Sequence, residues 1–144
     1  MTKHEFMSPS WIEACYALLE ELVSNAGAEI EEADFSICEV FTDAPAHLAN
    51  LGDGRAAWTF RIKGRSVIVG REEVFDADYK VVADYHAVLP LVRIVHNNDP
   101  AIIAEMEAAA MKAARAGQVS VQGDKAKRPD ALAPFHDRLA ELTL

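Results

Sequence analysis

At 144 residues the chain has the length of one domain, enough to bury roughly two thirds of the surface that its unfolded form would expose. It is 51% hydrophobic and 26% charged, which argues against disorder, and no apolar run approaches the ~18 to 20 residues of a membrane-spanning helix. Fourteen basic against 23 acidic side chains leave a formal charge of -9, which repels phosphate backbones and anionic membrane surfaces, so nucleic acid is not an expected partner.

The N-terminal MTKHEFMSPSW lacks the continuous apolar stretch of a secretory signal, and a cytoplasmic protein is expected. Ser8-Pro9 is a helix start, a capping residue followed by proline at the first helical position. Trp11, Ile12, Cys15, Leu18, Leu19, Leu22 and Val23 then recur at three- and four-residue spacing, which predicts an amphipathic helix over 9–26. After the acidic EIEEAD, the apolar residues of Phe35 to Phe41 predict a strand, and TDAPAHLANLGDG a loop with room for one helical turn.

AAWTFRIKGRSVIVG carries the clearest local signal. Trp58, Phe60 and Ile62 alternate with Thr59 and Arg61, Lys63-Gly64 supplies a turn, and Val67, Ile68 and Val69 return, a β-hairpin over 56–70. REEVFDAD reads as a connection and Tyr79 to Asp84 as a further strand. From there the period changes. HAVLPLVRIV predicts a short helix interrupted or started at Pro90, and Asn98-Asp99-Pro100 starts another, on which Ile102, Ile103, Met106, Ala109, Ala110, Ala113 and Ala114 share one broad face. The two form a helical layer over 87–116. Val119 and Val121 mark a last strand over 118–122, and Pro129-Asp130 opens a final helix over 129–143 with Leu132, Phe135, Leu139 and Leu142. No internal repeat divides the chain. This order of elements predicts a single α+β domain over 1–144, a mainly antiparallel sheet of about five strands covered on one face by helices.

Few residues offer chemistry. Cys15 and Cys38 have no CxxC spacing and read as small buried hydrophobes. The histidines at 4, 47, 86, 96 and 136 include no pair at the i, i+4 spacing of a metal site, and DADYK lacks the glycine and glutamate of a calcium loop, so no metal or other cofactor is expected. No GxSxG elbow or phosphate-binding glycine loop occurs. Asp84 and His86, where a strand meets the helical layer, are the best acid/base pair; the plainer reading is that Asp84 caps the next helix. Arg115, Lys125, Lys127 and Arg128 make the only basic cluster, either a solvated surface or a receiver for an anionic group.

Together AGQVSVQGD, GDGRAAWTFRIKGRSVIVG and ADYKVVADYHAVL, in that spacing relative to the final helix, resemble the sterol carrier protein 2 family of lipid-binding domains, over about residues 35–144. Between Asp84 and Gly117 this chain holds two helical stretches where compact family members use a shorter connection, a segment expected to help roof a cavity. The resemblance implies an apolar tunnel between sheet and helices that binds a fatty acid, acyl-CoA, sterol or similar lipid without transforming it, with a partner enzyme met transiently. Candidate lining residues are Trp58, Phe60, Val67, Val69, Val81, Leu89, Ile102, Met106 and Met111, with Arg115 and Lys125 for a carboxylate or CoA phosphate at the mouth. From the residues alone, these apolar side chains fill a solid core equally well. A cofactor-free isomerase or hydratase, with Asp84 as base and Tyr85 or His86 as donor, and an assembly subunit using the Ala-rich helix are the alternatives.

Overall fold

The structure, a computed structural model, describes residues 2–144. Ser8 starts helix α1 (Pro9–Ser24) as its sequence predicts: the Trp11 N–H donates to Ser8 Oγ at 3.2 Å, and Pro9 occupies the first turn, where its missing N–H has no partner to lose. One face of α1, from Trp11 to Val23, is buried. A 3-10 turn (Ala28–Glu32) leads to β1 (Asp34–Thr42), followed by the hairpin of β2 (Ala56–Lys63) and β3 (Ser66–Gly70). Then come β4 (Tyr79–Asp84), α2 (Tyr85–Val92), α3 (Pro100–Arg115), β5 (Val119–Gly123), two further 3-10 turns (Lys125–Lys127 and Asp130–Leu132) and α4 (Phe135–Glu141). Among the described residues no helix is long and apolar enough to cross a membrane.

The five strands form one mixed sheet in the order β3-β2-β1-β4-β5. Three neighbouring pairs are antiparallel; β1 and β4 run parallel, with Glu39 opposite Val81. Because pleating sends alternate residues to opposite faces, Phe35, Ile37, Glu39 and Phe41 of β1 share one face with Ala56, Trp58, Phe60 and Ile62 of β2. This face packs under α1, α2 and α4 in a core that includes Phe6, Trp11, Leu19, Phe35, Phe41, Trp58 and Leu139. The opposite face carries Cys38, Val40 and Ala57, covered by Val74 and Ala77 of the segment that crosses from β3 to β4. Lys80, only 7% exposed, reaches Glu73 of that segment at 2.7 Å and fastens it down.

The two chain ends close on each other. His4 N–H donates to Leu142 O at 2.7 Å, Leu144 N–H to His4 O at 2.9 Å, and buried Trp11 Nε1–H to Thr143 Oγ1 at 3.0 Å. Phe6, fully inside, stacks on Tyr85 with ring centroids 5.2 Å apart and meets Trp11 and Phe41 edge-on.

Three elements differ from the sequence reading. Pro90 neither starts nor interrupts α2, which runs through it and ends two residues later, so the missing donor removes a single bond on the exposed side. The helix expected over 129–143 is split, because Pro134 has no N–H to extend the turn begun at Asp130, and α4 starts only at Phe135. The third is α3, which buries only Ala113. It contributes nothing to the main core, so of the helical layer expected over 87–116 only α2 lies on the sheet.

Candidate ligand cavity

Between the helix-covered face of the sheet and α1, α2 and α4 the core leaves a cavity of about 260 Å³. Its walls come from every layer: Phe35, Ile37, Glu39 and Phe41 of β1, Phe60 of β2, Tyr79 and Val81 of β4, Val88 and Val92 of α2, and Leu132, Phe135, His136 and Leu139 of the C-terminal segment, with Phe6 and Trp11 at one end. Lys125 and Arg128 complete the lining from the solvent side. Val88 and Val92 reach it because Asp84 starts α2 in the right phase: its Oδ1 accepts the Ala87 N–H at 2.9 Å, and the turn then sets Tyr85, Val88, Leu89 and Val92 toward the sheet.

The basic segment is aimed by β5. This strand pairs antiparallel with β4 as far as Gly123 opposite Tyr79. Gly123 has φ +92°, and a Cβ there would lie 2.0 Å from the Asp78 carbonyl oxygen, so no other residue lets the backbones meet this closely. Asp124 then accepts the Ala126 N–H at 2.8 Å, and the following turn brings Lys125 Nζ to 5.1 Å from the centre of the Tyr79 ring. Lys127 instead approaches Asp78 at 3.5 Å. Neither Lys125 nor Arg128 forms an ion pair among the described residues.

Glu39 is the only carboxylate in the lining. Its Oε1 accepts the Trp58 Nε1–H at 2.7 Å. Burial pushes the Glu39 carboxyl above the ordinary glutamate value, opposed by the Trp58 bond and by the charge of Lys125. Burial, with a smaller push from Glu39, likewise raises the Tyr79 hydroxyl. His136 donates Nε2–H to Ile94 O at 2.8 Å, and its ring stacks on His96 with centroids 5.4 Å apart, so the imidazole is held against the wall.

Of the candidate ligand-site residues singled out in the sequence, Phe60, Val81, Lys125 and Arg128 line the cavity. Trp58, Val67, Val69 and Leu89 stand in the surrounding core. Ile102, Met106 and Met111 lie outside it on α3, where Met111 is 55% exposed, and Arg115 ends the same helix away from the cavity. The reason is that the chain leaves α2 at Arg93 and α3 then packs against β5, the edge strand of the sheet. Asp84 is engaged as a helix cap, the Tyr85 hydroxyl donates to Phe6 O at 2.9 Å, and His86 is exposed, so the acid/base set expected from the sequence does not face the cavity. Sequence reading missed Glu39 and the aromatic walls Phe6, Trp11 and Phe135. A signal for Glu39 existed: it is the one polar residue in the alternating row Phe35, Ile37, Glu39, Phe41.

A wider groove of about 540 Å³ on the opposite sheet face is polar, and its charges are mostly spent on each other. Arg61 pairs with Asp34 at 3.0 Å, Lys127 with Asp78, and Asp78 accepts from the Ser36 N–H at 2.9 Å. Among the described residues no group of His, Cys, Asp or Glu is placed to hold a metal ion.

No protein-family model matches the chain, and no curated protein matches it. Solved structures do. It is similar to a ubiquinone synthesis protein described as UbiJ-SCP2, with 20% identity over 96% of this chain and 97% of the other and a TM-score of 0.47. A conserved hypothetical protein from Thermus thermophilus, suggested to be a sterol carrier protein, matches with 14% identity over 99% of this chain and 93% of the other, TM-score 0.46. A sterol carrier protein 2 matches with 14% identity over 96% of each chain, TM-score 0.49.

Proposed function

We propose that this protein binds a hydrophobic small molecule in the cavity between sheet and helices and carries or presents it without chemical change. The cavity itself supports this reading. Interiors are normally filled to crystal-like density, yet about 260 Å³ stays open here behind walls that are mainly apolar with a few polar groups, the pattern of a ligand pocket rather than of a packing fault. At about 30 Å³ per atom-sized unit, taken from the volume share of a water, the space holds about nine non-hydrogen atoms. That suits a short acyl chain or one substituted ring; a sterol or a long fatty acid would extend through the mouth. Lys125 and Arg128, without an ion pair among the described residues, are suited to receive a carboxylate or phosphate at that mouth.

The same reading puts the carrier in the cytoplasm, where the buried thiols of Cys15 and Cys38 stay reduced, and gives it a partner enzyme met transiently. Native mass spectrometry of the purified protein, followed by organic extraction, tests the proposal. A hydrophobic molecule retained near one-to-one stoichiometry is the expected result. An empty protein that also fails to take up fluorescent short-chain lipids would overturn it.

A further inference from the structure

Glu39 stands in the middle of an apolar row. Its strand neighbours on the cavity face are Ile37 and Phe41, and its cross-strand neighbours are Trp58 and Val81. A carboxyl in such a place is destabilising unless its oxygens find partners. One does, in the bond from Trp58 Nε1 to Oε1. The other, Oε2, has no partner among the described residues, and it is not sealed inside protein, so it is presented to whatever fills the cavity.

Resting on the reading of this cavity as a ligand site, we propose that the ligand carries a hydroxyl group at its buried end and that Glu39 Oε2 binds it. The occupant is then a small alcohol or phenol with an apolar body, oriented hydroxyl-inward. Other head groups fit worse. A buried carboxylate would stand against the Glu39 carboxyl, and an ammonium would have to pass Lys125 and Arg128, both cationic. A ketone accepts only, and so serves the protonated acid alone. A hydroxyl serves both states, donating to the carboxylate and accepting from the acid. Trp58 contributes by fixing which oxygen remains free, since its indole N–H is a donor with one direction.

Octan-1-ol and nonane test this, because each has nine non-hydrogen atoms and they differ only in the hydroxyl. Binding is read from the fluorescence of Trp11, in the cavity wall, and Trp58, beside Glu39. Glu39→Leu is expected to weaken octan-1-ol by tenfold or more, one hydrogen bond's worth, while nonane binds as well as before or better. Glu39→Gln, whose amide keeps hydrogen-bonding capacity, should hold octan-1-ol within about threefold of wild type. If the leucine variant does not fold, Glu39→Met, with the same reach and no oxygen, takes its place. Octan-1-ol binding that is unchanged by the loss of both oxygens, or a wild type that takes nonane but not octan-1-ol, would overturn the inference and leave the cavity reading standing. A wild type that takes neither probe overturns both.

Discussion

Replacing Val88 by phenylalanine separates a true ligand cavity from a loosely drawn core. Val88 sits on α2 and lines the cavity beside Val92. Phenylalanine adds four carbons, which at about 30 Å³ each take up roughly 120 Å³, close to half of the 260 Å³ available. A nonane-sized ligand then loses room for about four of its carbons, and at about 0.8 kcal/mol per buried methylene the loss is about 3 kcal/mol, or more than a hundredfold in affinity. The empty protein responds in the opposite direction, because the new ring fills space that held no protein atoms. Its melting temperature should stay level or rise. Titration of nonane, followed by tryptophan fluorescence, and thermal unfolding by circular dichroism on the same samples give both numbers. A melting temperature that falls by the equivalent of about 1–3 kcal/mol would mean that the ring was forced into an already filled core, and the cavity argument would fail.

Other perturbations have equally definite outcomes. Asp84→Ala should cost about 1 kcal/mol in urea unfolding and Asp84→Asn only a few tenths, the signature of a helix cap; a loss of about 3 kcal/mol from the asparagine would show that the carboxylate does more. Ile102→Ala on the peripheral α3 should cost about 1 kcal/mol or less, against about 3–5 kcal/mol for Phe41→Ala in the core, and equal losses would place α3 on the sheet after all. Glu39 gives a pH dependence. Its folded carboxyl lies above the ordinary value of 4.5, so the native state is favoured by its protonation below pH 4.5 and loses that advantage as pH rises through the raised value. Glu39→Gln should therefore gain in melting temperature relative to wild type as pH rises above 4.5, and a difference that stays constant as pH rises would contradict the assigned burial effect.

The parts of this fold that were legible in the sequence are those with local causes. The hairpin around Gly64, the caps at Ser8 and Asp99, and the alternation through β2 each declare themselves within a few residues. The cavity had no such local cause. Phe6 enters it because the two chain ends pair, and Phe135 because Pro134 restarts a helix at that point; neither is visible as a period. β1 is apolar on both faces, since the β3–β4 crossing covers Cys38 and Val40, and this hid the inward row in which Glu39 is the exception. The broad Ala- and Met-rich face of α3 misled for a related reason: amphipathicity says that a face is apolar, not what lies beneath it.

The short strand β5, set late between helices, follows the same logic of position. Standing at the sheet edge, it adds no residue to the cavity wall. It does fix where the chain goes next. Pairing with β4 as far as Gly123, and the close approach to Asp78 that only glycine allows, determine where Lys125 and Arg128 emerge. Had the chain run directly from α3 to α4, the sheet would keep its other four strands, but its cavity would have no cationic rim. Thus β5 acts on the cavity through register rather than contact, and a substitution at Gly123 should disturb the mouth before it disturbs the core.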